Sequence, residues 1–216
     1  MGEADVQWER DLWVAAWADD RSVVEALLVE AKKHDINWQH PHYTGQTALH
    51  MAAARVLGSS SVDLLLAAGA RLDSVDYEGN TPLHKAADWD CVEALARLLA
   101  AGAEIDAVNR HGHTALMQAV VGNRCPDTVK FLLDEGADMD RVNEQEGKTA
   151  YELAVWFNRR RDTLEVLEAY AHQKSKVRPA LVACLGRVLP AELTELCADF
   201  VYFPPARRRL AARTTH

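Results

Sequence analysis

The middle of the chain reads Gly79-Asn-Thr81-Pro-Leu83-His84-Lys-Ala86-Ala87. A glycine, a threonine two residues later and then leucine with small alanines predict a tight turn followed by a helix that begins beside the threonine. Three further stretches follow this pattern. They are Gly45-Gln-Thr47-Ala-Leu49-His50-Met-Ala52-Ala53, Gly112-His-Thr114-Ala-Leu116-Met117-Gln-Ala119 and Gly147-Lys-Thr149-Ala-Tyr151-Glu-Leu-Ala154. Successive threonines are 34, 33 and 35 residues apart, so the chain is built from repeats of one unit.

A second apolar run follows the first three of these motifs and ends in glycine and alanine. The runs are Leu64-Leu65-Leu66-Ala-Ala-Gly69-Ala70, Leu98-Leu99-Ala-Ala-Gly102-Ala103 and Phe131-Leu132-Leu133-Asp-Glu-Gly136-Ala137. Such runs predict a second helix, and a glycine just after the last apolar residues is a usual helix stop. Each unit is therefore predicted to be a helix, a short loop, a second helix and a turn.

Threonine, leucine, paired alanines, the leucine run and the Gly-Ala turn recur together at one period, and in this they resemble the ankyrin repeat. The resemblance implies an all-α solenoid of about five stacked helix-turn-helix units with a helical C-terminal extension. We place the repeat domain at residues 1–172, with units at about 10–40, 45–78, 79–111, 112–146 and 147–171. One such unit cannot bury its own apolar face, so the units must stack on one another.

Composition and charge narrow the class of function. Of the 216 residues, 49% are apolar and 26% charged, as in an ordinary globular protein. No apolar run reaches the roughly 18 residues of a membrane helix, and the acidic N-terminus does not look like a secretory signal. We therefore expect a protein that is cytoplasmic, or both cytoplasmic and nuclear, with no membrane partner.

The charge is unevenly distributed between body and tail. Residues 173–216 hold 8 Lys and Arg against 3 Asp and Glu, which leaves 16 against 29 for residues 1–172. An acidic body repels phosphate backbones, so we expect protein partners rather than nucleic acid, and a monomer outside its complexes.

The histidines point to structure rather than to metal binding. His50 and His84 share one repeat position, three residues after the threonine, where the ankyrin resemblance implies a hydrogen bond to the turn. The pairs His40/His42 and His111/His113 lie in predicted loops without a third ligand at useful spacing, so surface contact is the interpretation.

The remaining side chains give no sign of catalysis. Cys91 and Cys125 lie in loops of neighbouring units, roughly 10 Å apart, whereas a disulfide needs alpha carbons within about 7 Å. The sequence shows no glycine-rich phosphate loop, no GxSxG and no HExxH motif. We predict no enzyme, no cofactor and reduced thiols.

By resemblance, ankyrin arrays bind proteins on a concave face lined by the ends of the inner helices and the tips of the turns. Counting seven and eight residues from each threonine, or its equivalent in the first unit, gives the helix ends. The predicted partner-binding residues are Trp17, Tyr43, Arg55, Tyr77, Asp88, Trp89, Arg110, His111 and Trp156. Exposed aromatic side chains ringed by charges such as Asp19 and Asp90 are typical of binding hot spots. For Trp17 and Trp156, in terminal units, the alternative is that they cover the ends of the stack.

The basic extension at 173–216 is predicted to be helical and allows several interpretations. It is similar to a SOCS box, with Leu181, Cys184 and Val188 as the elongin-binding residues and Pro204, Pro205 and Leu210 as the cullin motif. A second frame uses Leu193 and Cys197. The extension also looks like the opening of an F-box, which binds a Skp-type adaptor, through Leu189-Pro190-Ala191-Glu192-Leu193. The remaining alternative is a helical hairpin that caps the last repeat.

These observations favour a protein-binding function. The leading hypothesis is a substrate-recognition subunit of a cullin-RING ubiquitin ligase, recruited through the extension. The alternative is a free-standing scaffold or inhibitor that acts by occupying its protein partner.

Overall fold

The computed structural model describes residues 7–55, 60–122, 125–157 and 161–172. These residues form helices joined by turns and loops. The helices are α1 (Gln7–Ala18), α2 (Arg21–Val29), α3 (Ala48–Ala53), α4 (Ser60–Ala67), α5 (Pro82–Asp88), α6 (Val92–Ala100), α7 (Ala115–Val121), α8 (Pro126–Asp134) and α9 (Ala150–Trp156). A short 3-10 turn spans Ala31–Lys33, and residues 161–172 are helical. Among the described residues, β-structure is confined to an isolated antiparallel bridge between Asn143 and Lys148.

The helices stack in two rows. The inner row is formed by α1, α3, α5, α7 and α9, each packed on the next, and the outer row by α2, α4, α6 and α8. Small alanines such as Ala53 and Ala86 are fully buried in the inner row, and leucines such as Leu65 and Leu98 are fully buried in the outer row. Burying one leucine contributes about 1.5–3 kcal/mol. The predicted all-α solenoid of stacked helix pairs is therefore confirmed.

The helix starts show why the sequence folds into this register. In α3, the backbone N–H of Thr47 donates to Nδ1 of His50 at 3.2 Å, and the threonine side chain accepts from the N–H of His50. Because Nδ1 accepts, Nε2 carries the proton and donates to the carbonyl of Asn80 in the next turn, at 2.9 Å. His84 repeats the arrangement toward the carbonyl of His113, at 3.0 Å. The predicted role of the two histidines is confirmed, and each one joins two repeats.

The chain divides into two compact parts, each larger than a single repeat: Met1–Thr163 and Leu164–His216. The first part contains α1 to α9. In the second, residues 164–172 are described and helical, with Leu167 buried. The predicted adaptor residues all lie outside the described residues; they are Leu181, Cys184, Val188, Leu193, Cys197, Pro204, Pro205 and Leu210. No helix within the described parts has the length and apolar character needed to cross a membrane.

Candidate protein-binding site

Three predicted partner-binding residues come together at the C-terminal ends of the inner helices. Trp17 of α1 and Trp89 at the end of α5 meet edge to face, with ring centroids 6.1 Å apart and an interplanar angle of 79°. The guanidinium carbon of Arg55, which follows α3, lies 5.3 Å from the Trp17 ring centroid. We call Trp17, Arg55 and Trp89 the Trp-Arg cluster.

The cluster is a surface feature made from three successive repeats. Trp17 remains 36% exposed and Trp89 42% exposed, although each indole contacts other side chains. The two tryptophans belong to the first and third units; in the second unit the buried Ala54 shares the repeat position of Trp17, and Arg55 shares that of Trp89. The two indoles contact each other although a full repeat lies between their units. Trp17 therefore shares one surface with Trp89.

The aspartates near the cluster have structural roles that the sequence analysis did not anticipate. Asp19, expected as part of a charged ring around the tryptophans, accepts from the backbone N–H of Ser61 at 3.1 Å and from its hydroxyl at 2.7 Å. Asp90 likewise accepts from the N–H of Cys125 at 2.9 Å and from the hydroxyl of Thr128 at 2.9 Å. Each carboxylate thus caps the outer helix of the following repeat.

Both capping aspartates stand at the same repeat position and have a positive backbone φ, 52° at Asp19 and 57° at Asp90. This conformation is tolerated best by glycine, asparagine and aspartate. The shared register was the signal that could have identified the caps in the sequence. Asp88, another predicted partner residue, is half-buried and lies 3.5 Å from the side-chain amide of Gln118.

The predicted turn residues are exposed at the tips of the inter-repeat turns. They are Tyr43, Tyr77, Arg110 and His111, and we call them the turn row. Backbone hydrogen bonds link successive turns. The N–H of Tyr77 donates to the carbonyl of Thr44 at 2.7 Å, and the N–H of Arg110 donates to the carbonyl of Glu78 at 2.9 Å. Because each turn is bonded to the next, the four side chains are presented from a connected backbone.

The turn that carries Tyr77 is held by a buried carboxylate. Asp76 accepts from the backbone N–H of Glu78 and of Asn80, both at 2.9 Å, and pairs with Nζ of Lys85 at 2.9 Å. Burial alone would raise the pKa of Asp76, but hydrogen bonds from Lys85 and Asn80 outweigh it and the pKa lies below its ordinary value. The carboxylate stays ionised and organises the turn.

Tyr43 belongs to an aromatic group around His40. The ring centroid of Tyr43 lies 4.8 Å from that of Trp13 and 4.7 Å from that of His40. Nδ1 of His40 accepts from the backbone N–H of His42 at 3.2 Å. Burial lowers the pKa of His40, and the charges of Arg10 and His42 lower it further. His40 is therefore a neutral packing residue that supports Tyr43.

The second histidine pair divides between surface and interior. His111 is exposed as expected, but His113 is buried, which corrects the expectation that both make surface contacts. The backbone of His113 explains the difference: its N–H donates to the side chain of Asn109 at 3.0 Å, and its carbonyl accepts from His84. Burial lowers the pKa of His113. Within the described residues, no three His, Cys, Asp or Glu side chains are grouped to hold a metal ion.

Trp156 lies at the end of α9 in the fifth unit. The residue is 67% exposed, and Nζ of Lys148 lies 3.6 Å from the ring centroid. Val155 and Phe157 beside it are also exposed. Trp156 thus lies between two other exposed apolar side chains, and its contact with Lys148 is a cation–π pair. Cys91 is buried and Cys125 is half-buried.

The described fold and its exposed side chains define a helical repeat protein, a class in which each unit adds a strip of surface and neighbouring units share one core. The family model described as ankyrin repeats (3 copies) matches residues 12–109 and 96–177. The chain belongs to the ankyrin repeat family. Family membership indicates a protein-binding role and points away from an enzyme.

Two curated relatives support this assignment. Over 113 residues, or 51% of this chain, it is 39% identical to the B-cell lymphoma 3 protein of Homo sapiens and 35% identical to the B-cell lymphoma 3 protein homolog of Mus musculus. The match covers 25% of each relative, so the chain spans about a quarter of the length of these curated relatives. The similarity is therefore one of the repeat region.

Proposed function

We propose that this protein is a scaffold that holds a protein partner on the Trp-Arg cluster and the turn row. The observation that carries the proposal is the cluster itself. Trp17 and Trp89 are both more than one third exposed, and Arg55 lies over the Trp17 ring. Tryptophan, tyrosine and arginine are the residues most enriched in interface hot spots, and the two aromatic side chains bury large areas at a low cost in side-chain entropy.

The turn row adds contacts of the same kind. Two tyrosines, an arginine and a histidine are exposed there, and their backbones are joined by hydrogen bonds between turns. A connected backbone lowers the ordering cost of binding, since the partner does not have to immobilise each loop separately.

The test compares the full chain with variants of the cluster. Proteins retained by the wild-type chain from a cell lysate are identified, and the affinity of each purified candidate is then measured. We expect Trp17→Ala and Trp89→Ala each to weaken binding of a true partner by tenfold or more, in line with losses of about 2 kcal/mol at hot spots. Val29→Ala, which removes an exposed apolar side chain from the outer helix α2, is the control.

Circular dichroism of each variant separates loss of binding from loss of fold. A partner bound as tightly by the two tryptophan variants as by the wild type would show that the Trp-Arg cluster is not the binding surface.

A second candidate function concerns residues 173–216. Here we propose that the extension recruits a cullin-RING ubiquitin ligase, with the repeats presenting the substrate. The support is in the sequence: Leu181, Cys184 and Val188 followed by Pro204 and Pro205 are similar to a SOCS box. The basic character of this segment, 8 Lys and Arg against 3 acidic residues, also distinguishes it from the acidic repeats.

Two double variants of the full chain test the two possible positions of the SOCS-box-like motif. Leu181→Ala with Cys184→Ala removes the elongin-binding residues of the first position, and Leu193→Ala with Cys197→Ala removes those of the second. We expect wild type to retain elongin and cullin subunits, one of the double variants to lose them, and partners of the Trp-Arg cluster to remain bound in both. If wild type retains no elongin, Skp-type or cullin subunit, the protein acts as a free-standing scaffold or inhibitor that occupies its partner.

A further inference from the structure

The charge at the Trp-Arg cluster is not neutralised within the described residues. Some other arginines of the described residues have acidic partners: Arg21 pairs with Glu25 at 2.8 Å, and Arg97 pairs with Glu93 at 2.7 Å. Arg55 contacts the Trp17 ring, and its Nε, like that of Arg10 and of Arg97, is buried without a hydrogen-bond acceptor. In the parts of the chain that the structure describes, no carboxylate pairs with this guanidinium.

The nearby carboxylates are already engaged. Asp19 and Asp90 each accept hydrogen bonds at the start of an outer helix, as described above. The partial positive charge of a helix N-terminus offsets part of each negative charge. Asp20 caps its own helix α2 through the N–H of Val23, and Asp88 lies beside Gln118. Within the described residues, the Arg55 guanidinium therefore contacts an indole ring but no carboxylate.

We infer that the Trp-Arg cluster recognises a carboxylate side chain, Asp or Glu, on a protein partner, together with an apolar side chain that packs on the two indoles. This inference rests on the proposed function and names the chemistry of the partner. A guanidinium forms paired hydrogen bonds with a carboxylate, and these charge-assisted bonds are stronger than neutral ones. Indole rings beside the pair exclude water, which strengthens the attraction further.

The charge of the whole chain restricts the partner further. Residues 1–172 carry 29 acidic against 16 basic side chains, so a run of acidic residues would be repelled. A single carboxylate flanked by apolar residues is attracted by Arg55 at short range, where the more distant charges are screened over about 10 Å. The chain's own segment 173–216 is basic and does not complement the guanidinium.

The experiment selects binders from a random peptide library displayed on phage, using the immobilised full chain. Peptides fused through their C-terminus carry no free terminal carboxylate, so any acid that is enriched is a side chain. Some selected peptides will bind the wild-type chain but not the Trp89→Ala variant. We expect these peptides to contain one Asp or Glu at a constant spacing from a large apolar residue. Selection on Arg55→Glu is expected to replace that acid with Lys or Arg.

Purified peptides then give a quantitative test. Arg55→Met and the Glu→Gln or Asp→Asn change in the peptide should each reduce affinity about tenfold or more, and the two changes together should cost little more than either alone. Arg55→Lys, which keeps the charge but loses the planar fork, should fall between wild type and Arg55→Met. Val29→Ala should bind like wild type.

The outcomes separate the two proposals. Peptides that depend on Trp89 but show no enriched acid, or that bind Arg55→Met unchanged, overturn the inference and leave the scaffold proposal standing. If no enriched peptide depends on Trp89, both are overturned.

Discussion

At the scale of single residues, Gly45 decides how the turn row is presented. Its φ is +70°, in the left-handed region, and a Cβ built there would overlap the ring of Tyr77. The absence of a side chain thus serves two purposes, because it permits the backbone conformation and leaves space for an exposed tyrosine of the next repeat. Gly69 offers a comparison, since its φ is +95° but a Cβ there would meet nothing within 4 Å.

We predict that Gly45→Ala lowers the free energy of unfolding by more than Gly69→Ala does. Both variants pay a backbone cost of roughly 1 kcal/mol for an alanine at positive φ. Gly45→Ala in addition forces the Tyr77 ring to move, for a further cost of about 1–3 kcal/mol. Urea unfolding of the two variants measures the difference, and equal losses would contradict the contact with Tyr77.

At the scale of the helices, the starts of α4 and α8 depend on the preceding repeats. Cys125 precedes Pro126 at the start of α8 and makes no side-chain cap bond to its own helix. Asp90 supplies the carboxylate instead, from the end of the loop after α5. These two outer helices are therefore stabilised by packing and also by a carboxylate that the preceding repeat supplies as a cap.

Removing the Asp90 cap should loosen α8 more than the rest of the array. Asp90→Gly removes the carboxylate while accepting the positive φ, and we expect loss of its hydrogen bonds to Cys125 and Thr128 to lower stability by about 1 kcal/mol. Asp90→Asn keeps a side-chain oxygen and should cost less. Hydrogen exchange at the amides of α8 measures the effect, and an Asp90→Gly variant with unchanged exchange at Cys125 and Thr128 would contradict the capping role.

At the scale of the molecule, the repeats are joined by two histidines that must stay neutral. Burial lowers the pKa of His50 to about 4 from its ordinary 6.5, and burial likewise lowers the pKa of His84. Each imidazole accepts at Nδ1 from its own helix start and donates at Nε2 to the next turn. Protonation of Nδ1 would break the first of these bonds and place a charge in the core.

Stability should therefore fall as the pH is lowered. Between pH 6.5 and about 4 the unfolded chain takes up a proton at His50 that the folded chain excludes, so the free energy of unfolding decreases through this window. The loss from His50 approaches about 3 kcal/mol below pH 4. Urea unfolding at pH 7 and pH 4.5 measures the slope.

The matched variants are His50→Gln and His42→Gln, the second at an exposed position. His50→Gln should be less stable at pH 7 but show a smaller decrease toward pH 4.5, whereas His42→Gln should keep the wild-type slope. A slope that His50→Gln leaves unchanged would show that this imidazole does not titrate in the folded chain as expected.

The helix pairs of the array could be predicted from local sequence patterns. The period of the threonines, the leucine runs and the Gly-Ala turns predicted the helix pairs, because helix starts and stops depend on residues within one turn of the chain. The same holds for His50 and His84, whose first partner is three residues away. The prediction of a surface contact for His113 is wrong because the burial of this residue depends on Asn109 and on a neighbouring repeat.

By itself, the sequence determined the repeat family, the helix pairs and the side chains available for binding. Only the tertiary structure decided that Trp17 meets Trp89, that Arg55 lies over an indole with no acidic partner among the described residues, and that Asp19 and Asp90 cap helices. These contacts join residues more than thirty positions apart. Their geometry depends on how far each repeat is displaced and rotated relative to the last, which no local pattern encodes.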